Sequence, residues 1–394
     1  MGNNTPPKGI DIVATRRYIV EVERKCYKYR IYPSKAQAQS LDSTIHTCRQ
    51  VYNWLLSDRE QDYEHTGKTP GYYTQCRRLT VFRDTWAELQ SVNSHVLYNV
   101  AMRVDLAFKA FFRRVKAGDK PGYPRYKGRD WYDSFTFPDS GFAVTEGALK
   151  LSKIGTLKIK LHRAIPKRIK ACTIRRQNNK WFVCFACEVE HEPLPTTGQS
   201  VGIDVGLEKF AALSDGSFVE NPRFFRKEQQ ALAKAQRKLS KQSKGSAEQT
   251  KARKVVARVH ERIKNRRHNF VHQLSRKLVN ENDVLAVEKL NTTNMLSNHC
   301  LAKSISDASW TMFRTVLTNK AESAGRTIVA VNPAYTSQDC SGCGYRTKKP
   351  LKERWHHCPM CGLSLDRDTN AAINILALGL QSLDRLADLR SPRL

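Results

Sequence analysis

Apolar residues recur along this chain at two periods, and each change of period marks an element or a boundary. From Cys26 to Tyr32 the period is two, with Tyr27, Tyr29 and Ile31 on one face and Lys28 and Arg30 on the other, which predicts a half-exposed strand. The period then lengthens. Leu41, Ile45, Cys48, Tyr52 and Leu55 follow at spacings of three and four, the face of an amphipathic helix. Ser34 and Gln37 have the spacing of a capping box just after Pro33, so the helix is expected to start there. A second helix is expected over Thr74 to Glu88. A third is expected over Asn93 to Lys116, where Leu97, Val100, Val104, Phe108, Phe111 and Val115 share a side. Lys120 to Arg129 is a basic loop broken by Gly and Pro, with Tyr123 and Tyr126 among its cations. Such a loop can stack tyrosines on bases while its cations meet phosphates, or it can be a surface turn with two packed tyrosines.

Period two returns in short runs: Phe135 to Phe137, Phe142 to Val144, Ala148 to Leu151, Thr156 to Leu161, Cys172 to Arg176 and Trp181 to Glu190. That many short strands predict a small β-barrel. The strand at Cys26 completes it, so the helices form a module inserted into a β-domain. Glu192 to Gly198 reads as a linker. Beyond it the pattern predicts a strand at Val201 to Gly206 and a hairpin over Phe210 to Val219 that turns at Asp215-Gly216. A long helical hairpin follows, then a strand at Val284 to Leu290, a helix near Ser306 to Ser323, a strand at Thr327 to Val331 and a helix at Asn370 to Leu380.

Charge adds a partner to this picture. Lys and Arg number 67 against 37 Asp and Glu, a formal +30, which calls for a polyanion, with nucleic acid first. Half of that excess sits between Arg223 and Lys277, which hold 18 basic residues and three acids. Val256, Val259, Ile263, Phe270, Leu274 and Leu278 keep helical spacing through the same stretch, so an apolar stripe backs a basic face that can track a phosphate backbone. No run approaches the length of an apolar membrane span, and Met1 to Ile10 has no signal-peptide core. A membrane partner is therefore not expected. Oligomeric state is not readable.

Candidate chemistry begins with the cysteines. Cys340-Ser-Gly-Cys343 and Cys358-Pro-Met-Cys361 are two C-x-x-C pairs with 14 residues between them, the spacing of a four-thiolate zinc ribbon. The other seven of the eleven cysteines are expected to be reduced thiols, which points to a cytosol or nucleus. Cys184 and Cys187 lie within a strand, point to opposite faces and read as packing residues. Two carboxylates interrupt apolar strands: Asp204 in Val201-Gly202-Ile203-Asp204-Val205, and Glu288 in Val284-Leu285-Ala286-Val287-Glu288. A charge there is costly unless a cation compensates it. Asp368 opens the last helix, where a lone acid could equally be a cap. Taken together the three favour a metal site.

In this order (strand Asp, strand Glu, zinc ribbon, helix-start Asp) the chain resembles the split RuvC-like nuclease of the transposon-associated TnpB proteins and the miniature type V CRISPR effectors. The matching motifs are Gly202-Ile203-Asp204-Val205-Gly206, Val287-Glu288-Lys289-Leu290, Ser337-Gln338-Asp339-Cys340-Ser341-Gly342-Cys343-Gly344 and Asp366-Arg367-Asp368-Thr369-Asn370-Ala371-Ala372-Ile373-Asn374-Ile375. The resemblance implies Asp204, Glu288 and Asp368 as catalytic and metal-binding residues, with Asp366 left out. It implies two Mg²⁺ (or Mn²⁺) ions at that site and one structural Zn²⁺ on Cys340, Cys343, Cys358 and Cys361. Pattern and resemblance together lead to a multidomain α/β plus β fold: a tail over 1–21 that extends beyond the resemblance, a wedge-like barrel over 22–33 and 130–192, and a helical recognition module over 34–129. An RNase H-like (RuvC) nuclease would cover 193–335 and 362–380, with the ribbon at 336–361 and a tail over 381–394. The implied activity is RNA-guided cleavage of double-stranded DNA beside a short protein-read motif, with a structured guide RNA as cofactor, in the cytoplasm at the nucleoid. A guide-independent nuclease of transposition and a miniature type V effector are the alternatives.

Overall fold

The structure, a computed structural model, describes residues 11–13, 23–348, 350 and 353–390. Within the polar N-terminal stretch it places one strand, β1 (Asp11–Val13). The rest of the tail expected over 1–21, and residues 391–394 of the one expected over 381–394, lie outside the described residues. The chain divides into two compact units, one spanning Val22–Glu190 and one running from His191 onward together with β1.

In the first unit the alternating stretch becomes β2 (Glu23–Tyr32), and helix α1 (Lys35–Thr66) follows. Both halves of the capping box form: Ser34 Oγ accepts from Gln37 N–H and Gln37 Oε1 accepts from Ser34 N–H. α2 (Tyr72–Thr85), the single turn α3 (Ala87–Gln90) and α4 (Ser94–Lys116) complete the helical module, so the second helix is interrupted at Trp86. Its buried Arg59 is held by Gln75 Oε1 at 2.8 Å and Asp105 Oδ1 at 3.1 Å, which compensates a cation inside the module. The basic loop is strapped to α1, where Asn53 bonds both the N–H (2.7 Å) and the carbonyl (3.1 Å) of Lys127. Tyr123 packs edge-on against Phe108 and Phe111, and the Tyr126 hydroxyl donates to Glu60, yet both rings remain about half exposed.

Six strands follow, β3 (Ser134–Phe137), β4 (Phe142–Thr145), β5 (Ala148–Leu151), β6 (Gly155–Lys160), β7 (Arg168–Gln177) and β8 (Lys180–Val189). With β2 they form a seven-stranded antiparallel sheet in the order β3-β7-β8-β2-β6-β5-β4. The edge strands β3 and β4 are consecutive in the chain, joined only by residues 138–141. A link of that length spans at most about 18 Å, whereas a flat sheet of seven strands is about 29 Å from edge to edge. The sheet must therefore curl until its edges approach, giving a nearly closed barrel. Cys187 is buried and Cys184 half-buried on the opposite face, as alternation along β8 requires.

The second unit is built on a six-stranded sheet in the order β1-β13-β12-β9-β10-β11. Its strands are β9 (Ser200–Val205), β10 (Lys209–Leu213), β11 (Phe218–Glu220), β12 (Val284–Glu288) and β13 (Thr327–Val331). β9, β10 and β11 form an antiparallel meander; β12 lies parallel to β9 and β13 parallel to β12, and β1 closes the far edge antiparallel. α5 (Phe224–Ser240) and α6 (Ala247–Glu281) form the basic hairpin between β11 and β12. After β12 come α7 (Thr292–Met295), α8 (His299–Ala308) and α9 (Trp310–Ser323); Ser309, with φ of 57°, breaks the single helix expected over 306–323. Beyond β13 the two-stranded β14 (Trp355–His357) and β15 (Ser364–Asp366) precede α10 (Arg367–Arg390), which runs on past Leu380 with Leu383 packed on the sheet.

Period two along these strands sorts the side chains into two layers. Val201, Ile203, Leu285, Val287 and Ile328 share a core with Val271, Leu274 and Leu278 of α6 and Phe313 and Leu317 of α9. The alternate positions Ala286, Val329 and Val331 pack on Ile375 of α10. Gly202, Asp204 and Glu288 have the second parity and so face α10. The stretch expected as a linker is fastened to this unit: Asp283 accepts from the N–H groups of Thr197 and Gly198, and Leu194 N–H donates to Ala324.

Candidate carboxylate site and metal centre

Asp204 and Glu288 come together because β9 and β12 are parallel neighbours. Val287 pairs with Ile203, so one residue further the two acids stand side by side at the carboxyl ends of adjacent strands, both turned toward α10. α10 brings Asp368 to the same end. It can lie close because the sheet offers it small residues: a Cβ at Gly202 would fall 2.0 Å from the carbonyl oxygen of Ala372, and one at Gly379 would fall 2.7 Å from Cβ of Ala286. Asp366 does something else. Its Oδ1 accepts from the N–H of Asp368 at 2.9 Å and of Thr369 at 3.2 Å, which caps α10 and occupies that carboxylate with the helix start.

The electrostatics fit a cation. Burial pushes Asp204 well above the ordinary carboxylate range, and the charges of Glu288 and Asp368 push it further. Burial also raises Glu288, opposed by the Thr336 hydroxyl, which donates to its Oε1 at 2.7 Å. Burial and Asp366 raise Asp368, against Arg354, Arg367 and Lys209. Arg354 divides its charge between Glu208 at 2.6 Å and Asp368 at 3.7 Å. Three desolvated carboxylates, one of them raised further by the charges of the other two, favour protons when alone, and a hard divalent cation with oxygen ligands is the group that lets all three ionise.

The thiolate cluster is tighter. The four Sγ atoms of Cys340, Cys343, Cys358 and Cys361 all lie within 4.8 Å of one another, with Cys340 to Cys361 at 3.6 Å and Cys343 to Cys358 at 3.5 Å. Tetrahedral zinc with Zn–S of about 2.3 Å sets sulfurs about 3.8 Å apart, so the donor set and the spacing fit that ion. Each C-x-x-C turn is closed by a backbone bond, Gly344 N–H to Cys340 and Gly362 N–H to Cys358, with both glycines at left-handed φ of 76° and 74°. Among the described residues these thiols are the group already at ligand spacing; the three carboxylates are neighbours without being that close.

Residues that sequence reasoning passed over tie the two sites together. Asn370, fully buried, donates to Asp339 O at 2.8 Å and accepts from Ser341 N–H at 2.9 Å, while Asn374 donates to Thr336 O at 2.8 Å and Asp339 O at 2.7 Å. Their signal was present as two asparagines four apart on the helix that opens with Asp368. In the hairpin, Leu232, Val259 and Ile263 form the seam. Arg262 and Arg266 clamp the buried Glu228 at 3.0 and 2.8 Å, and Arg267 binds Asp307 at 2.8 Å, so these three cations serve the fold. Lys234, Arg237, Lys238, Lys241, Lys244, Lys251, Lys254 and Arg258 are exposed.

Family models match the chain in three places: "Probable transposase" over residues 184–299, "Cas12f1-like, TNB domain" over residues 310–375 and "Helix-turn-helix domain" over residues 24–68. The last stretch is, in the structure, β2 followed by the single helix α1. A protein of Streptomyces pristinaespiralis named as an RNA-guided DNA endonuclease is 38% identical over 366 residues, 91% of this chain and 90% of that one. InsQ of Escherichia coli (strain K12), named in the same way, is 28% identical over 90% of this chain and 92% of its own. Among solved structures, a Cas12f1–sgRNA–target DNA complex aligns with a TM-score of 0.58 at 12% identity over 90% of this chain and 98% of the other, a likeness of fold. Among the described residues no helix is long and apolar enough to cross a membrane.

Proposed function

The chain belongs to the TnpB family, and from that premise we propose how its parts divide the work of an RNA-guided DNA endonuclease of an insertion sequence. Asp204, Glu288 and Asp368 are the catalytic carboxylates of a RuvC-like nuclease. The observation that carries this reading is their meeting at one end of the sheet, on the α10 face, where each is desolvated and the charges of Glu288 and Asp368 raise Asp204. The sheet order supports it: an antiparallel meander of three strands followed by two parallel strands, with helices on both faces, is an RNase H-like arrangement.

Asp204 is the acid that feels the charges of both others, so it would share metal ions with both. Glu288 is steadied by Thr336, and Asp368 is presented by the first turn of α10 while Asp366 caps it. The three carboxylates would hold divalent cations such as Mg²⁺, which would supply an activated water and charge stabilisation for the leaving oxygen of a phosphodiester. Cys340, Cys343, Cys358 and Cys361 hold a structural zinc that fixes the loop beside α10. A guide RNA is held by the curled barrel and by the exposed cations of the hairpin, base pairing supplies target choice, and the barrel with its helical module reads a short motif beside the target. The single carboxylate site cuts both strands.

Asp204→Ala, Glu288→Ala and Asp368→Ala test the site. Each should abolish cleavage of matched DNA in Mg²⁺ while RNA and DNA binding stay near wild type. Full cleavage by any one of them removes that residue from the catalytic set.

A further inference from the structure

We propose that Thr336 is a positioning residue for the Glu288 carboxylate and that Asn374, with Asn370, holds it there, so one short loop couples the thiolate cluster to the cleavage site. The inference rests on the reading of Glu288 as a catalytic ligand. Residues 336–341 carry both ends of the coupling. At one end the Thr336 hydroxyl, on a buried residue, donates to Glu288 Oε1 at 2.7 Å. At the other, Cys340 supplies a thiol to the four-sulfur cluster.

Between those ends the loop is a short turn, closed by the N–H groups of Gln338 and Asp339 on the Tyr335 carbonyl and bridged from Asp339 to Arg346, and α10 ties that turn down from outside. Asn374 Nδ2 donates to the carbonyl of Thr336 itself, at 2.8 Å, and to that of Asp339, at 2.7 Å. Asn370 grips the same Asp339 carbonyl and receives the Ser341 N–H. That N–H must face the Asn370 oxygen, so the amide orientation follows from the partners. Asn370 and Asn374 stand one turn apart on one face of the helix whose first turn carries Asp368. The helix that presents one carboxylate thus also sets the hydroxyl that orients another.

The physical effect is on where the Glu288 oxygens can point. A glutamate has three side-chain torsions, and ordering it costs rotamer entropy. A hydroxyl bonded to one oxygen restricts the orientations open to the carboxylate, and with them the directions in which its other oxygen can meet a cation. Removing a partner of this kind from a ligating carboxylate reduces metal affinity or activity by about 10–100-fold. Valine at 336 keeps the shape and removes the donor; serine keeps the donor and removes a methyl.

The test uses the full-length protein and Mn²⁺ as the probe, followed by electron paramagnetic resonance, beside the Mg²⁺ dependence of cleavage, zinc content and a thermal melt. Thr336→Val should weaken Mn²⁺ binding by about 10–100-fold and raise the Mg²⁺ needed for half-maximal cleavage, with zinc content unchanged. Thr336→Ser should restore most of both. Asn374→Ala should show the same kind of defect, and it should add little in the Thr336→Val background because the two act through one hydrogen bond to Glu288. Thr336→Val binding Mn²⁺ as wild type does, or Thr336→Ser being as defective as Thr336→Val, overturns the inference. If Thr336→Val loses its zinc or its melt, the Thr336→Ser and Asn374→Ala comparison decides the question. Mn²⁺ binding and cleavage that survive Asp204→Ala and Glu288→Gln would instead overturn the reading of the carboxylate site, an outcome separable from failure at Thr336 alone.

Discussion

Gly202 and Ala372 approach so closely that a Cβ on the glycine would fall 2.0 Å from the alanine carbonyl oxygen, with the backbone nitrogen of Leu376 only 2.8 Å away. The obstacle is helix backbone, which cannot rotate aside as a side chain could. Gly202→Ala should therefore push α10 off β9 and carry Asp368 away from Asp204. Overpacking of this kind costs about 1–3 kcal/mol or more, and a shift of an ångström can cost about 100-fold in rate. We expect a lower melting temperature and cleavage reduced by at least that factor. Wild-type cleavage by Gly202→Ala would mean that the helix position is not coupled to the chemistry.

The two aspartates at the start of α10 should separate by role. Asp366→Asn keeps an oxygen that can accept from the Asp368 and Thr369 N–H groups, so the cap survives and cleavage should remain substantial. Asp366→Ala should cost about 1 kcal/mol of stability by removing the cap and retain activity. Asp368→Asn should be inactive. Activity in Asp368→Asn and none in Asp366→Asn would exchange the assignments.

Metal analysis should find one zinc per chain. Cys340→Ser should lower both zinc content and melting temperature, because binding of a structural zinc is coupled to folding. Chelation at mild temperature should do the same to the wild type. Replacing Cys184 and Cys187 together by alanine should leave zinc untouched, since they point to opposite faces of β8. Loss of zinc in that double variant would show that the four-thiol assignment is incomplete.

The hairpin should contain two kinds of cation. Arg237, Lys238, Lys241 and Lys244 are exposed, and replacing them with glutamine should weaken RNA binding. Its salt dependence should flatten by about 0.7–0.9 log units for each phosphate no longer neutralised. Arg262 and Arg266 are bound to Glu228, so Glu228→Ala should destabilise the hairpin by leaving the two cations without their acid. An unchanged salt slope in the quadruple variant would move the RNA-binding surface elsewhere.

The RNA itself offers a further measurement. Protein purified from its native locus should carry a discrete RNA, and exchanging that RNA's guide segment should redirect cleavage to the newly matched DNA while the flanking motif stays fixed. Cleavage that ignores the exchanged segment would favour a guide-independent nuclease.

Much of this molecule follows from local pattern. Alternation and the 3.6-residue period located the barrel strands, the inserted helices and the basic hairpin, because burial of a side chain depends on where its neighbours point along one element. The cysteine spacing marked the thiolate cluster, since each C-x-x-C turn is itself local. Strand chemistry also singled out Asp204 and Glu288, because a charge among apolar residues stands out in any single segment. What the sequence did not show depends on contacts between distant segments. β1 is held by backbone pairing with β13, which needs no apolar pattern, so its stretch read as a featureless tail. Ser309 adopts a left-handed conformation that serine seldom takes, and no residue at that position announced the break between α8 and α9. Nothing local shows that α10 lies across Gly202, and the partners of Asn370 and Asn374 come from a loop some 30 residues earlier in the chain. Residue types and spacings determined which groups this chain could use. The packing of α10 on the sheet decided which of them meet, because that packing joins segments distant in the chain, such as Gly202 and Ala372, and is set by shape rather than by pattern.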